Sequence, residues 1–277
     1  INSDGIQDIA LGTVWGSRSV FAVSGMDGSI IWHYDTDEYG DGGWVYEVDA
    51  EHDFNNDGIR DILAASGDDG SDFGPRRVQL FNGVNGDKLW EHAFYVAMTA
   101  VISLEDITGD SVPDVVCASS PDYTDGYIYV LDGSTGNTIN EINSNSTAVF
   151  ALCPINDINN DGLMDYAYGD FNGAIKIVTS PADVTTSFST QNGLITHMES
   201  ITAYNQKSYI LSGTLNDYFP LINATDGIIS WAVATDGYVL DASPIEDLNG
   251  DLFFDVLIGT LDEKLSVLSG LDGQEIF

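Results

Sequence analysis

Five segments of this chain carry side-chain oxygens at one recurring spacing. The fullest spans residues 157–165, with Asp157, Asn159, Asp161 and Asp165 at positions one, three, five and nine and Gly162 at six. Such a spacing suits Ca²⁺, a hard cation that takes six to eight oxygens from a tight loop. Position seven, Leu163, would give its backbone carbonyl, so its side chain is free to be apolar. The glycine permits the sharp turn around the ion. Asp53, Asn55, Asp57, Ile59 and Asp61 repeat the pattern, with Gly58 at six. Asp106, Thr108, Asp110, Val112 and Asp114 repeat it with Ser111 in the glycine slot, and Asp247, Asn249, Asp251, Phe253 and Asp255 with Leu252 there. Asn2, Asp4, Ile6 and Asp8 form a partial copy whose first ligand falls before Ile1. Four full Ca²⁺ sites and one partial site are expected. Asn, Asp and Gly are also ordinary turn formers, but repetition at fixed spacing argues for more than turns.

The closing aspartates 8, 61, 114 and 165 are 53, 53 and 51 residues apart, and the next, 255, follows after 90. The long interval holds an extra unit. Tyr209-Ile-Leu-Ser-Gly213-Thr-Leu215 aligns with Asp255-Val-Leu-Ile-Gly259-Thr-Leu261, and its loop region has lost the carboxylates. Each of the six units reads as strand, metal loop, strand, variable loop, alternating strand, Gly-rich turn and strand, as in Tyr127 to Ile142 for the last three parts. Strand-rich periods of 40–50 residues are the signature of propeller blades. The expected fold is all-β: a six-bladed β-propeller of four-stranded antiparallel blades, one domain over 1–277. The blades fall near 1–42, 43–95, 96–146, 147–192, 193–236 and 237–277, the first lacking its first strand. Four residues after the last turn glycine stand Trp32, Trp90 and Trp231, with Asn140 and Phe277 in the same slot. Aromatics at one strand position in several repeats point to packing between blades.

The metal loops resemble those of FG-GAP repeats, found in integrin alpha-subunit head propellers and in many secreted prokaryotic proteins. The apolar strand, small-residue turn and Trp resemble quinoprotein-type (PQQ-like) propeller repeats. Together the two resemblances cover nearly the whole chain. The first implies Ca²⁺ at the loop residues named above. The second carries no quinone site, because adjacent cysteines and a catalytic cluster are missing from the sequence.

The formal net charge is −36, with only 8 Lys and Arg. That argues against nucleic acid and anionic membranes as partners, and metal ions would offset only part of it. No apolar run approaches the length of a membrane span, so direct membrane insertion is not expected. The chain has no signal peptide or initiator Met and reads as a mature or trimmed piece of a longer product. Cys117 and Cys153 stand on apolar strands and show no metal-ligand spacing. Two buried thiols or an interblade disulfide are both open. The sequons at Asn145 and Asn223 permit N-glycosylation.

In such a blade the metal loops and glycine turns share one face, and the variable loops share the other. The variable side carries Trp15, Trp44, Phe73, Tyr123, Phe171 and Tyr218, rings near carboxylates that suit a protein or a glycan. His33, His52, His92 and His197 lack zinc spacing, and no enzyme is expected. The functional expectation is an extracellular, cell-surface module with a structural or adhesive role, or the repeating subunit of a surface assembly. Self-association into a filament by strand donation is part of that reading, since the first blade would leave an inner edge open. A lectin-like, carbohydrate-binding propeller is the alternative. A polysaccharide lyase or quinone-dependent dehydrogenase rests on fold analogy alone.

Overall fold

Alternating apolar residues and short polar turns give 22 β-strands, and no α-helix is present among the described residues. The computed structural model describes residues 1–14, 16–36, 43–68, 74–120, 125–145, 148–179, 183–189, 193–202 and 207–277. Contacts divide the chain into two compact units, Ile1–Ala148 and Val149–Phe277, where the sequence reading has one domain.

The first unit holds three antiparallel sheets. The first contains β1 (Ile9–Gly12), β2 (Ser19–Val23) and β3 (Ile30–Asp35). The second contains β4 (Trp44–Asp49), β5 (Ile62–Gly67), β6 (Arg77–Phe81) and β7 (Lys88–Ala93). The third contains β8 (Met98–Leu104), β9 (Asp114–Ser119), β10 (Tyr127–Leu131) and β11 (Thr138–Asn143).

The second unit repeats the plan. Its fourth sheet contains β12 (Val149–Ile155), β13 (Asp165–Asp170), β14 (Ala174–Thr179) and β15 (Asp183–Ser189), and its fifth β16 (Ile195–Thr202), β17 (Ser208–Thr214), β18 (Tyr218–Asn223) and β19 (Ile229–Ala234). Its sixth contains β20 (Val239–Ile245), β21 (Asp255–Thr260) and β22 (Leu265–Leu268). Every sheet is an up-and-down meander, and the sheet boundaries follow the repeats. The sixth sheet falls short of the expected four strands. An isolated bridge between Leu268 and Glu275, with bonds joining Val267 to Ile276 and Phe277, stands where the fourth would run.

The core lies between neighbouring sheets. Strands β5, β9 and β13 are buried at every residue, as strands covered on both faces must be. Val20, Trp32, Val45 and Phe81 join the first sheet to the second, and Leu80, Val101, Val115 and Leu131 join the second to the third. In the other unit Ile177, Ile195 and Ile210 link the fourth and fifth sheets, and Leu221, Trp231 and Val256 the fifth and sixth. A bulge stands at the connection between the third and fourth strands of five sheets, at Ala22/Val23, Leu80/Phe81, Val130/Leu131, Ile177/Val178 and Leu221/Ile222. Bulges re-aim the strand that carries them, here the strand holding the recurring aromatic.

Candidate metal centres and the glycine turns beneath them

In the second, third, fourth and sixth sheets the oxygen-rich loop joins the first strand to the second, in the first sheet it precedes β1, and in each its own backbone holds its side chains inward. In the second sheet, Asp53 accepts the N–H groups of Asp57 at 3.2 Å and Gly58 at 2.8 Å. Asn55 Oδ1 accepts Asp57 N–H at 2.8 Å, and Asp57 Oδ1 accepts Ile59 N–H at 2.9 Å. Asp61 Oδ2 accepts Phe54 N–H at 2.9 Å. These are chained Asx turns, the local bond that short carboxylate and amide side chains favour.

The same bonds recur elsewhere. Asp157 takes Gly162 N–H, Asp161 takes Leu163 N–H and Asp165 takes Ile158 N–H, each at 2.8–2.9 Å. Asp106 takes Ser111 N–H at 2.7 Å, and Asp114 takes Ile107 N–H at 2.8 Å. Thr108 gives its hydroxyl to Asp106 at 3.2 Å. Asn2 and Asp4 take the N–H groups of Asp4 and Ile6, and Asp8 takes that of Asn2. In the sixth sheet Asp247, Asn249, Asp251 and Asp255 follow suit, and oxygens of Asp247, Asp251 and Asp255 lie within 4.8 Å of one another.

Positions four and six are left-handed in all five loops. Position four is Ser3, Asn56, Gly109, Asn160 or Gly250, and position six is Gly5, Gly58, Ser111, Gly162 or Leu252, with φ between 59° and 91° throughout. The sequence reading assigned the special backbone to position six alone. Where Ser111 or Leu252 takes position six, glycine stands at four, a compensation present in the sequence but visible only when both slots are compared.

The closing aspartate also reaches the glycine turn between strands three and four. Asp8, Asp61 and Asp114 accept the N–H groups of Gly25, Gly83 and Gly133 at 3.1, 2.9 and 2.9 Å. Asn82 and Ser269, which open their turns, donate to Asp57 and Asp251 at 3.0 and 2.9 Å. Oxygen-rich loop and glycine turn thus form one hydrogen-bonded face within a sheet. A Cβ on Gly83 would meet the Arg60 carbonyl oxygen at 1.9 Å, and one on Gly133 that of Pro113 at 1.7 Å. The fifth sheet, which has no carboxylate loop, places Ala224 there instead. Burial pushes the Asp61 and Asp114 carboxyls up, against the pull of the N–H groups that they accept. The N–H of Ser111 leads those that hold Asp106 low.

The recurring tryptophans latch the first sheet to the second, the second to the third and the fifth to the sixth. The Trp32, Trp90 and Trp231 indoles donate to the carbonyls of Gly83, Gly133 and Gly270 at 2.6, 2.7 and 2.8 Å. Their rings lie over Gly86, Gly136 and Gly273, where a Cβ would come within 2.7 Å. Phe188 covers Gly227 in the same way. Sequence reading missed Phe188, because the turn before its strand lacks the glycine that sets the register. Asn140, in the Trp slot, accepts the N–H of Glu141.

The rings expected to face a partner are placed differently. Phe171 is 50% exposed in the turn after β13. Trp44 and Tyr218 open strands β4 and β18 and are half-buried, so they belong to sheets rather than to free loops. The Trp44 ring meets Tyr46 edge-on. Trp15, Phe73 and Tyr123 lie outside the described residues. Both cysteines are free and buried, and Asn223 is 9% exposed at the head of its turn. A Ser–His–Asp contact that sequence spacing could not show joins His52 Nδ1 to Ser103 Oγ at 2.7 Å and Ser103 Oγ to Asp49 at 2.8 Å. The serine hydroxyl donates directly to the carboxylate, so the histidine sits at the end of the chain and is not oriented as a base toward it.

No protein-family model matches the chain, and no curated protein matches it. Solved β-propeller structures do. Sqt1 of Saccharomyces cerevisiae aligns with a TM-score of 0.69 at 14% identity, over 94% of this chain and 67% of that one. BBS1N, solved in complex with ARL6DN and soaked with mercury, aligns with a TM-score of 0.68 at 11% identity, over 94% of this chain and 73% of that one. The same complex soaked with lead gives 0.65 at 11% identity. At these identities the likeness is one of fold.

Proposed function

We propose that the chain is a Ca²⁺-stabilised, six-bladed β-propeller that acts outside the cell as a structural or adhesive interaction module. The observation that carries the metal reading is the convergence of Asp247, Asp251 and Asp255. The other loops share its chained Asx turns and left-handed pair. The donor set is all oxygen, which fits a hard cation. Asp247, Asn249, Asp251 and Asp255 would hold the ion through side chains, and Phe253 through its carbonyl. The corresponding residues of the second, third and fourth sheets would do the same, and Asn2, Asp4, Ile6 and Asp8 would form the partial site. The ion would supply positive charge among carboxylates that otherwise repel one another.

The partner is a protein or a glycan. The likeness to Sqt1 and to BBS1N, the latter solved with ARL6DN, supports a protein. The exposed Phe171 ring supports the carbohydrate-binding alternative. Among the described residues β1 pairs only with β2, and Ile9 and Leu11 on it are 50% and 44% exposed. This edge supports strand addition from a neighbouring copy, the route to a filament. Metal analysis and melting with and without chelator test the metal reading. A ligand bound only to the native state at a hundredfold excess over Kd stabilises it by about 2.7 kcal/mol per site. Bound calcium and a clear fall in Tm on chelation are expected; no bound metal and an unchanged melting curve refute it.

A further inference from the structure

A cleft of about 210 Å³ lies between the outer strands of the fifth and sixth sheets. Val233, Ile258 and Leu268 form its apolar part, and Asp236, Lys264 and Glu275 stand at its rim. All of its walls are described residues.

The corresponding spaces in the first unit are filled by the sheets themselves. Tyr34, two residues past the latch Trp32, packs 4.8 Å from Phe81 and accepts a bond from Gln79 at 3.3 Å. Lys88, which pairs with Phe81, holds its Nζ 5.6 Å from the centre of the Tyr34 ring. Between the second and third sheets Tyr129 takes the place of Gln79 and packs 4.8 Å from Phe94. In the fifth sheet the residue two past Trp231 is Val233, and in the sixth the residue two before Leu268 is Ser266. These two positions bring no ring and no long amide, and both line the cleft. Glu275 bridges to Leu268 as Lys88 pairs with Phe81, so an acid stands where the sister junction has a cation.

The rim is acidic. Glu275 Oε1 accepts the Lys264 ammonium at 3.0 Å and the Ser266 hydroxyl at 2.9 Å. Asp262 lies against Gly237, where a Cβ would come 2.9 Å from its Oδ1. Glu275 foremost, with Asp236 and Asp262, holds the Lys264 ammonium above its ordinary range. Three carboxylates thus stand around one cation, and Asp236 and Glu275 Oε2 take no bond from the described residues.

We infer that this cleft receives an arginine side chain from a partner protein. Arginine has an apolar stem for Val233, Ile258 and Leu268 and a charged head that stays at the rim. Its planar fork meets carboxylate oxygens in pairs, which the point charge of a lysine does not. A purely apolar side chain would leave the rim acids unmatched. The volume exceeds the roughly 150 Å³ that admits benzene, and the chain's charge of −36 favours a basic partner. The inference takes from the interaction-module reading only that the partner is a protein. It is independent of bound calcium and of strand addition, so the chelation experiment and the following one can fail separately.

The test uses the full chain with labelled Ile, Leu and Val methyls, titrated with a blocked Gly-Ser-Arg-Ser-Gly peptide and followed by NMR. Saturable shifts at Val233, Ile258 and Leu268 are expected. Binding should weaken at least about tenfold when the arginine becomes citrulline, which keeps the length and loses the charge. Asp236→Asn combined with Glu275→Gln, both at exposed residues, should weaken it as much while leaving the rest of the methyl spectrum in place. Ser266→Gln, which restores the residue of the second sheet, should abolish the shifts. No saturable shift at millimolar peptide overturns the proposal, as does equal binding of the citrulline peptide or of a lysine peptide, or binding that survives the paired substitution. Shifts at these methyls that grow with protein concentration alone also overturn it, because the occupant is then a second copy.

Discussion

Replacing Trp32 by Phe removes one hydrogen-bond donor from a buried contact and little else. The Trp32 Nε1–H is 2.6 Å from the Gly83 carbonyl, the ring covers Gly86, and Phe81 lies 6.1 Å from its centroid. A phenyl ring keeps most of the apolar contact, so the main loss is the bond to a carbonyl that is then buried without it. That costs about 1–3 kcal/mol. The smaller ring adds a lost contact area worth about 1 kcal/mol. At roughly 2–4 °C per kcal/mol for a chain of this size, Tm should fall by about 4–16 °C. Urea unfolding at fixed calcium gives the free energy, and an unchanged m-value shows that the native and denatured states keep their compactness. A loss below about 0.5 kcal/mol, the level of ordinary surface substitutions, would refute the latch as a stabilising bond.

Gly83→Ala should be more damaging than Gly86→Ala: the added methyl meets the Arg60 carbonyl at 1.9 Å in the first case and the Trp32 ring at 2.7 Å in the second. Soluble yield and melting temperature of the pair check the order. Leu252, at φ 71° and 72% exposed, should gain about 0.5–1 kcal/mol on replacement by Gly, the relief of left-handed strain exceeding the added backbone freedom; equal or lower stability would contradict it. Metal-stripped protein should become more stable as pH falls from 7 into the carboxylate range. Asp61 and Asp114 have raised native pKa values, so their contribution is fully present below the unfolded value and is lost as pH rises through the native one. Asp8, Asp27, Asp106, Asp132, Asp251 and Glu275 are held low and oppose this, but they lie nearer solvent than Asp61 and Asp114, which screens their contributions. A metal-free Tm that falls on acidification would show the sign to be wrong.

The repeated oxygens and the strand pattern were legible because each is fixed by local chemistry. A carboxylate at every second residue makes Asx turns wherever it occurs, and Trp32, Trp90 and Trp231 stand at a constant distance from a glycine. What stayed hidden depends on neighbouring sheets. Phe54 and Ile158 look like ordinary second residues of a loop until the next sheet's glycine turn is placed beside them. Phe188 occupies a latch slot that its own turn does not announce. Trp44 and Tyr218, assigned to loops by position, open strands, because boundaries shift by a residue or two without any change of pattern. The contact of His52 with Ser103 joins residues 51 positions apart, and no short spacing encodes it.

The paired left-handed positions set a route by which these loops can diverge. A loop with Gly at both four and six is one substitution from either observed form. A loop with Gly at neither would hold two side chains in the left-handed region, at roughly 1–2 kcal/mol each for most residue types. Descent from one form to the other therefore passes through the double glycine, and a protein engineer can take the same path. Asn160→Gly beside Gly162 would make a loop tolerant of a new side chain at position six. There the outward residue could be changed, as at Leu252, without rewriting the oxygen-bearing side chains of the loop.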